Sequence, residues 1–359
     1  QKIESATSTY KLYIWIDGTN FANPETMQNQ TFKFVLNADA SDQEPALATL
    51  TKLGLSVSDG TPDFNKTAQA SCSDESNCET TNGIYAAEDD LGTSYYFRGA
   101  VENNYVKFAG YYWRIIRING DGTIRMIYDG TSAHANGESS TDRLVSFLSF
   151  NHAKDDNAYV GYMYGTPGSS TYEDTHANIN NSAIKTANDN WYKTNILDEG
   201  YSQYVADAIY CNDRSLSSGT GIGTSSTQYK TFNRIFTNKT PSLKCTLNDD
   251  KFTVFDSLGN GDLTYPVGLV TADEIVYAGG KYNTQNLLFY LYKGKGFWTL
   301  SPNNHTPSSS SSWIIKENDS LGVYGVNVNT VGLCPVISLK SNITFSGNGT
   351  MNQPFEIAS

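Results

Sequence analysis

The chain has 359 residues, long enough for two domains, and its net charge of −12 argues against nucleic acid as a partner, since phosphate is held by clustered Lys and Arg. It is 38% hydrophobic with 24 Tyr, 16 Phe and 5 Trp, which supplies a packed core, and no run reaches the length of a membrane span. Only 17% of residues are charged; Asn, Ser, Thr and Gly fill the polar remainder, as in many exported bacterial proteins. A start at Gln1 rather than Met fits a removed targeting segment.

In chain order, residues 1–40 read as a β-arm of two strands, Tyr10–Ile16 and Phe32–Leu36. Two strands alone are marginal in water. Tyr13, Trp15, Phe32 and Phe34 therefore need a surface to cover, on the following domain or on another chain. Residues 41–82 read as a linker, with a helix or strand at Leu47–Leu55 and a small loop that Cys72 and Cys78 could close as a disulfide. The globular domain is expected over 83–359. Tyr95–Arg98 and Tyr105–Phe108 predict short strands. Tyr111–Ile118 and Thr123–Tyr128 flank Asn119–Gly122, the clearest hairpin signal in the chain. On that pair Arg114, Arg117 and Arg125 either receive a carboxylate ligand or, the preferred reading, link to nearby Asp and Glu. Helical spacing marks Ser182–Ile196 and Ser202–Tyr210. An insertion follows around 212–260, its 212–231 part reading as a flexible loop. Cys211 and Cys245 could staple the ends of 212–244.

The last third carries three phrases that read as one unit. Gly268–Gly280 is a short helix with a capping box at Thr271 and Glu274 and a Gly279–Gly280 stop. Phe297–Pro302 and Gly332–Leu339 are apolar strands, the second holding Cys334 as a free buried thiol. Between them, Asn303–Thr330 is a polar excursion too long for an ordinary loop.

This order of phrases, Leu269–Glu274, then Phe-Trp-Thr-Leu-Ser-Pro at 297–302, then Gly332–Leu339, resembles the C-type lectin-like fold in its bacterial form. That form occurs in formylglycine-generating-enzyme-like domains and in the variable proteins of diversity-generating retroelements. With Tyr95–Arg98 and Val106–Asp129 it also resembles a group of surface proteins of gut Gram-positive bacteria, over roughly residues 80–357. The arm is similar to the closing strands of camelysin-like fibre sandwiches. The resemblance implies an α+β fold of antiparallel sheets with two helices, at the extracellular bacterial cell surface. It places ligand contacts on Trp298, Asn303, Asn304, His305, Trp313, Tyr324, Asn327 and Asn329, although Trp298, inside an apolar strand, reads more readily as core, and Trp313, after five serines, is the better candidate for an exposed anchor. Tyr, Trp and Asn also suit binding loops by their rigid area and adaptable hydrogen bonds. The partner implied is a host or bacterial surface glycan or protein, with self-association through the arm as a fibre or pilus subunit.

Other chemistry reads weakly. The acidic clusters Glu88–Asp90, Asp155–Asp156 and Asp249–Asp250 lack calcium-loop spacing, and Asn119–Gly122 resembles a fragment of a calcium loop but is fully explained as a hairpin turn, so calcium is a minor alternative and no other cofactor is expected. The four histidines sit in polar contexts without a Gly-x-Ser-x-Gly elbow. The two active-site cysteines of formylglycine-generating enzymes reduce here to Cys334 alone. The expectation is a non-enzymatic, displayed binding module; a glycan- or cell-wall-acting enzyme is the alternative.

Overall fold

The computed structural model describes residues 44–318 and 320–358, so the expected arm, with Tyr13, Trp15, Phe32 and Phe34, lies outside the described residues. The main elements begin with α1 (Pro45–Lys52), β1 (Gly83–Asp89), β2 (Gly92–Arg98), β3 (Tyr105–Phe108), β4 (Tyr111–Ile118), β5 (Ile124–Gly130) and β6 (Ser146–Leu148). There follow α2 (Ala183–Tyr192), β7 (Leu216–Ser218), β8 (Thr227–Tyr229), α3 (Ala272–Tyr277), β9 (Phe297–Thr306), β10 (Ser309–Ile315) and β11 (Leu321–Gly325). The chain closes with β12 (Val331–Leu333), β13 (Val336–Leu339), β14 (Phe345–Ser346) and β15 (Phe355–Ile357). The fold is mixed, with sheets predominating over short helices.

The first sheet has eight strands in the order β13-β5-β4-β3-β15-β14, with β2 pairing the far end of β4 and β1 pairing β2. It is antiparallel throughout except for β15 on β3. Its centre is the expected hairpin: the Asn119 amide donates to the Thr123 carbonyl at 2.8 Å, and Gly122 takes the left-handed conformation. The second sheet has seven strands, β7-β8-β9-β10-β11, with β12 parallel to the start of β9 and β6 on β12. Trp113 of β4, Met126 of β5 and Trp298 of β9 are buried in one continuous core. The two expected disulfides, Cys72–Cys78 and Cys211–Cys245, are formed, and Cys334 is free and buried.

Several expectations change. The stretch 44–82 is not a free linker. Ala46 and Leu50 of α1 are fully buried in the core, and Thr49 Oγ1 donates to the Gly122 carbonyl at 2.9 Å. Any β-carbon at Gly122 would sit 2.8 Å from the Pro45 carbonyl oxygen, so the turn and α1 dock only because that residue is glycine. Ser202–Tyr210 is not a helix beyond a turn of 3-10 at Tyr201–Tyr204. The edge of the first sheet captures it instead: Val205 bridges Leu339, and the Ala206 amide donates to the Ser338 carbonyl. Residues 216–218 and 227–229, expected in a flexible loop, extend the second sheet. The polar excursion 303–330 is largely β-structure, the meander β9-β10-β11. Within its serine run Ser310 and Ser312 are buried while Ser309 and Ser311 face outward, an alternation that serine's uniform polarity hides. Finally, Gly332–Leu339 is two strands. The break at Cys334–Pro335 carries the chain from the second sheet to the first, where proline cannot extend a ladder.

Candidate functional site

The two sheets, α3 and the stapled insertion meet at a charged cleft. Asp89 comes from the end of β1, Arg117 from β4, Arg125 from β5 and Glu274 from the third position of α3. The capping box explains how Glu274 is placed: Thr271 Oγ1 accepts from the Glu274 amide at 3.1 Å, and Glu274 Oε2 accepts from the Thr271 amide at 2.9 Å. Held there, its carboxylate meets Arg125 at 2.6 Å and Arg117 at 3.0 Å, and Arg117 also reaches Asp89 at 2.6 Å. On the other wall Arg234 bridges Asp213 at 2.6 Å and Asp273 at 2.9 Å, and Asp90 pairs with Lys251 at 3.0 Å. Burial alone would raise the Glu274 carboxyl, but Arg125 and Arg117 outweigh it and hold it below its ordinary value. The Arg234 guanidinium is shifted upward: burial opposes its charge, and Asp273 and Asp213 outweigh burial.

This cleft is closed chemically and sterically. Its space amounts to about 30 Å³, room for roughly two water molecules. Each guanidinium is answered by a carboxylate, so the cluster is a buried ion-pair network whose rupture costs about 3–5 kcal/mol.

Arg234, Ser242 and Lys244 line both this cleft and a much larger neighbouring groove of about 480 Å³. That volume is within the range of small-ligand sites. Its floor and rim are Leu216, Ser217, Lys230, Asn233, Arg234, Asn238, Ser242, Lys244 and Thr246. The helix behind it starts as α-helix at Lys230–Phe232 and widens to a π-turn at Asn233–Asn238, a form often found at functional sites. The widened turn carries Asn233 and Asn238 in the groove lining. One face of this helix is anchored by Phe232 beside Trp313, and the Cys211–Cys245 disulfide ties the two ends of the insertion. The groove is thus part of a braced frame.

The residues expected to form the binding face separate. Trp298 is buried, its indole N–H donating to the Leu148 carbonyl at 2.8 Å. Trp313 is also fully buried, between Phe232 and Tyr282, and is not an exposed anchor. Asn303 and His305 are buried, the latter with Nδ1 2.9 Å from Ser310 Oγ. Tyr324, Asn327 and Asn329 are exposed and Asn304 is half-buried, so these four remain open to a ligand on the outer rim of β9-β11. The groove residues were missed because they lie in the insertion, where Ser217 and Asn233 look like loop filler. The signal that could have found them was the cysteine pair bounding that insertion.

The remaining chemistry is committed. His134 lies between Glu138 at 2.8 Å and Asp142 at 3.0 Å, and His176 is buried against the Gly221 carbonyl. His152 is exposed, 3.4 Å from Ser149 Oγ. Asp121 accepts from the Thr123 amide inside the hairpin turn. Among the described residues no group of three or more His, Cys, Asp or Glu could hold a metal ion, and no helix is long and apolar enough to cross a membrane. Two disulfides fit an oxidising, extracellular setting. The chain matches no protein family, no curated protein and no solved structure.

Proposed function

We propose that this chain is an exported, non-enzymatic ligand-binding protein of a bacterial cell surface, adhesin-like in role, with its ligand seated in the groove beside the stapled insertion. One observation carries the reading: the groove is about 480 Å³ and braced by the Cys211–Cys245 disulfide, whereas the neighbouring charged cleft has about 30 Å³ and each of its guanidinium groups is already paired with a carboxylate. A C-type lectin-like fold is part of the proposal, supported by largely antiparallel sheets with α2 and α3 beside them. Self-association through residues 1–40 is the other part. It rests on the aromatic strands of the sequence, and the native mass of the full chain against one lacking those residues tests it.

The test of the binding reading uses labelled protein on displayed glycans and on host and bacterial cells. Asn238→Trp fills the groove from an exposed position, so folding should be kept and binding lost. Asn327→Ala on the outer rim should leave binding intact. The reverse pattern moves the seat to the rim residues Asn304, Tyr324, Asn327 and Asn329. Release of new reducing ends from a bound glycan would make the protein an enzyme and overturn the non-catalytic part.

A further inference from the structure

The groove has a charge unlike the rest of the molecule. The whole chain carries −12, yet among the described residues no carboxylate lines the groove, while Lys230, Arg234 and Lys244 do. Arg234 is spent on Asp213 and Asp273. Lys230 and Lys244 are exposed and ion-pair with no carboxylate among the described residues. Setting Arg234 and its two aspartates beside these lysines leaves the site positive by one unit. A positive recess in an acidic protein draws anions to itself by focusing the local field.

The rest of the lining defines the body of that anion. Ser217, Asn233, Asn238, Ser242 and Thr246 contribute amides and hydroxyls beside their aliphatic carbons, and Leu216 is the single apolar residue of the lining. A peptide binds best through aliphatic or aromatic anchors in apolar pockets, and one leucine, Leu216, does not build such a pocket. A nucleic acid would need many more cations along its track. Hydroxyl-rich chains match amides and hydroxyls group for group. We infer that the groove binds an acidic carbohydrate, its sugar hydroxyls on Asn233, Asn238 and Ser217 and its anionic group between Lys230 and Lys244. This rests on the groove being the ligand seat.

The experiment measures binding of the full chain to three labelled probes by fluorescence anisotropy, at low and at high salt. The probes are tetragalacturonate, a sulfated carrageenan tetrasaccharide and neutral maltotetraose. The expected result is binding of an acidic probe, weakened by salt, and weaker by about tenfold in both Lys230→Glu and Lys244→Glu at unchanged melting temperature. Which of the two acidic probes binds better identifies carboxylate or sulfate as the recognised group. Maltotetraose binding as tightly, with Asn238→Trp abolishing it, keeps the groove and overturns the anion. Acidic binding that survives Asn238→Trp overturns the groove as its seat and this inference with it. No binding of any probe, or indifference to both lysine reversals, also overturns it.

Discussion

Replacing Glu274 by Gln separates two roles that one side chain performs. Glutamine can still accept from the Thr271 amide, so the capping box survives. The charge is lost. Arg125 is only 1% exposed and, among the described residues, ion-pairs with Glu274 alone; it also reaches the Ile209 and Leu269 carbonyls and lies over the Tyr210 ring. Arg117 keeps Asp89. The substitution therefore strands one buried guanidinium, and the expected loss is about 3–5 kcal/mol. Thr271→Ala, which removes only the cap oxygen, should cost about 1 kcal/mol. Urea unfolding reads both, as a lower midpoint at unchanged slope. Adding Arg125→Met to Glu274→Gln removes the stranded charge at similar volume and should recover part of the loss. A Glu274→Gln protein as stable as Thr271→Ala, with no recovery in the double variant, would refute the network as the element joining α3 to the first sheet.

Acid should act through His176. Burial, and after it the Arg214 guanidinium, push its imidazole down to about 3. Its folded pKa is below the unfolded one, so the unfolded chain takes up the proton first as pH falls below about 6.5. Stability present above that pH is lost toward about pH 3, with roughly 3 kcal/mol gone by about pH 4.5. His176→Gln should flatten this part of the stability profile, and an unchanged slope rules the residue out. The disulfides should differ in weight. Removing Cys211–Cys245, with a sequence separation of 34, should cost about 4 kcal/mol, against about 2 kcal/mol for Cys72–Cys78 with a separation of 6; equal losses by urea unfolding would contradict the chain-entropy argument. Trp313→Ala should cost about 3–5 kcal/mol because the indole is fully buried, while Tyr324→Ala should stay within about 0.5 kcal/mol. A stable Trp313→Ala protein would show that the side chain is not packed as described.

Local and covalent features could be read from the residues alone. Thr271 and Glu274 announce a cap three residues apart, Gly279 with φ of +109° ends the same helix, and Asn119–Gly122 turns the chain between two apolar strands. The cysteine pairs could be read because each bounds a polar segment. Other decisions depended on partners far along the chain. Glu274 became a hub only when β4 and β5 brought in Arg117 and Arg125, 157 and 149 residues away. Ser310 and Ser312 are buried because β9 and β11 flank β10, and five consecutive serines carry no hydropathy pattern that could announce it. Trp313, exposed by its polar neighbours in sequence, is covered by Phe232 and Tyr282, which no local pattern connects to it. The groove arose the same way: its lysines and amides take their meaning from the disulfide and the second sheet, which hold them around one recess. Short-range hydrogen bonds write themselves into neighbouring residues; burial and charge pairing are set by whichever distant strands the fold places beside them.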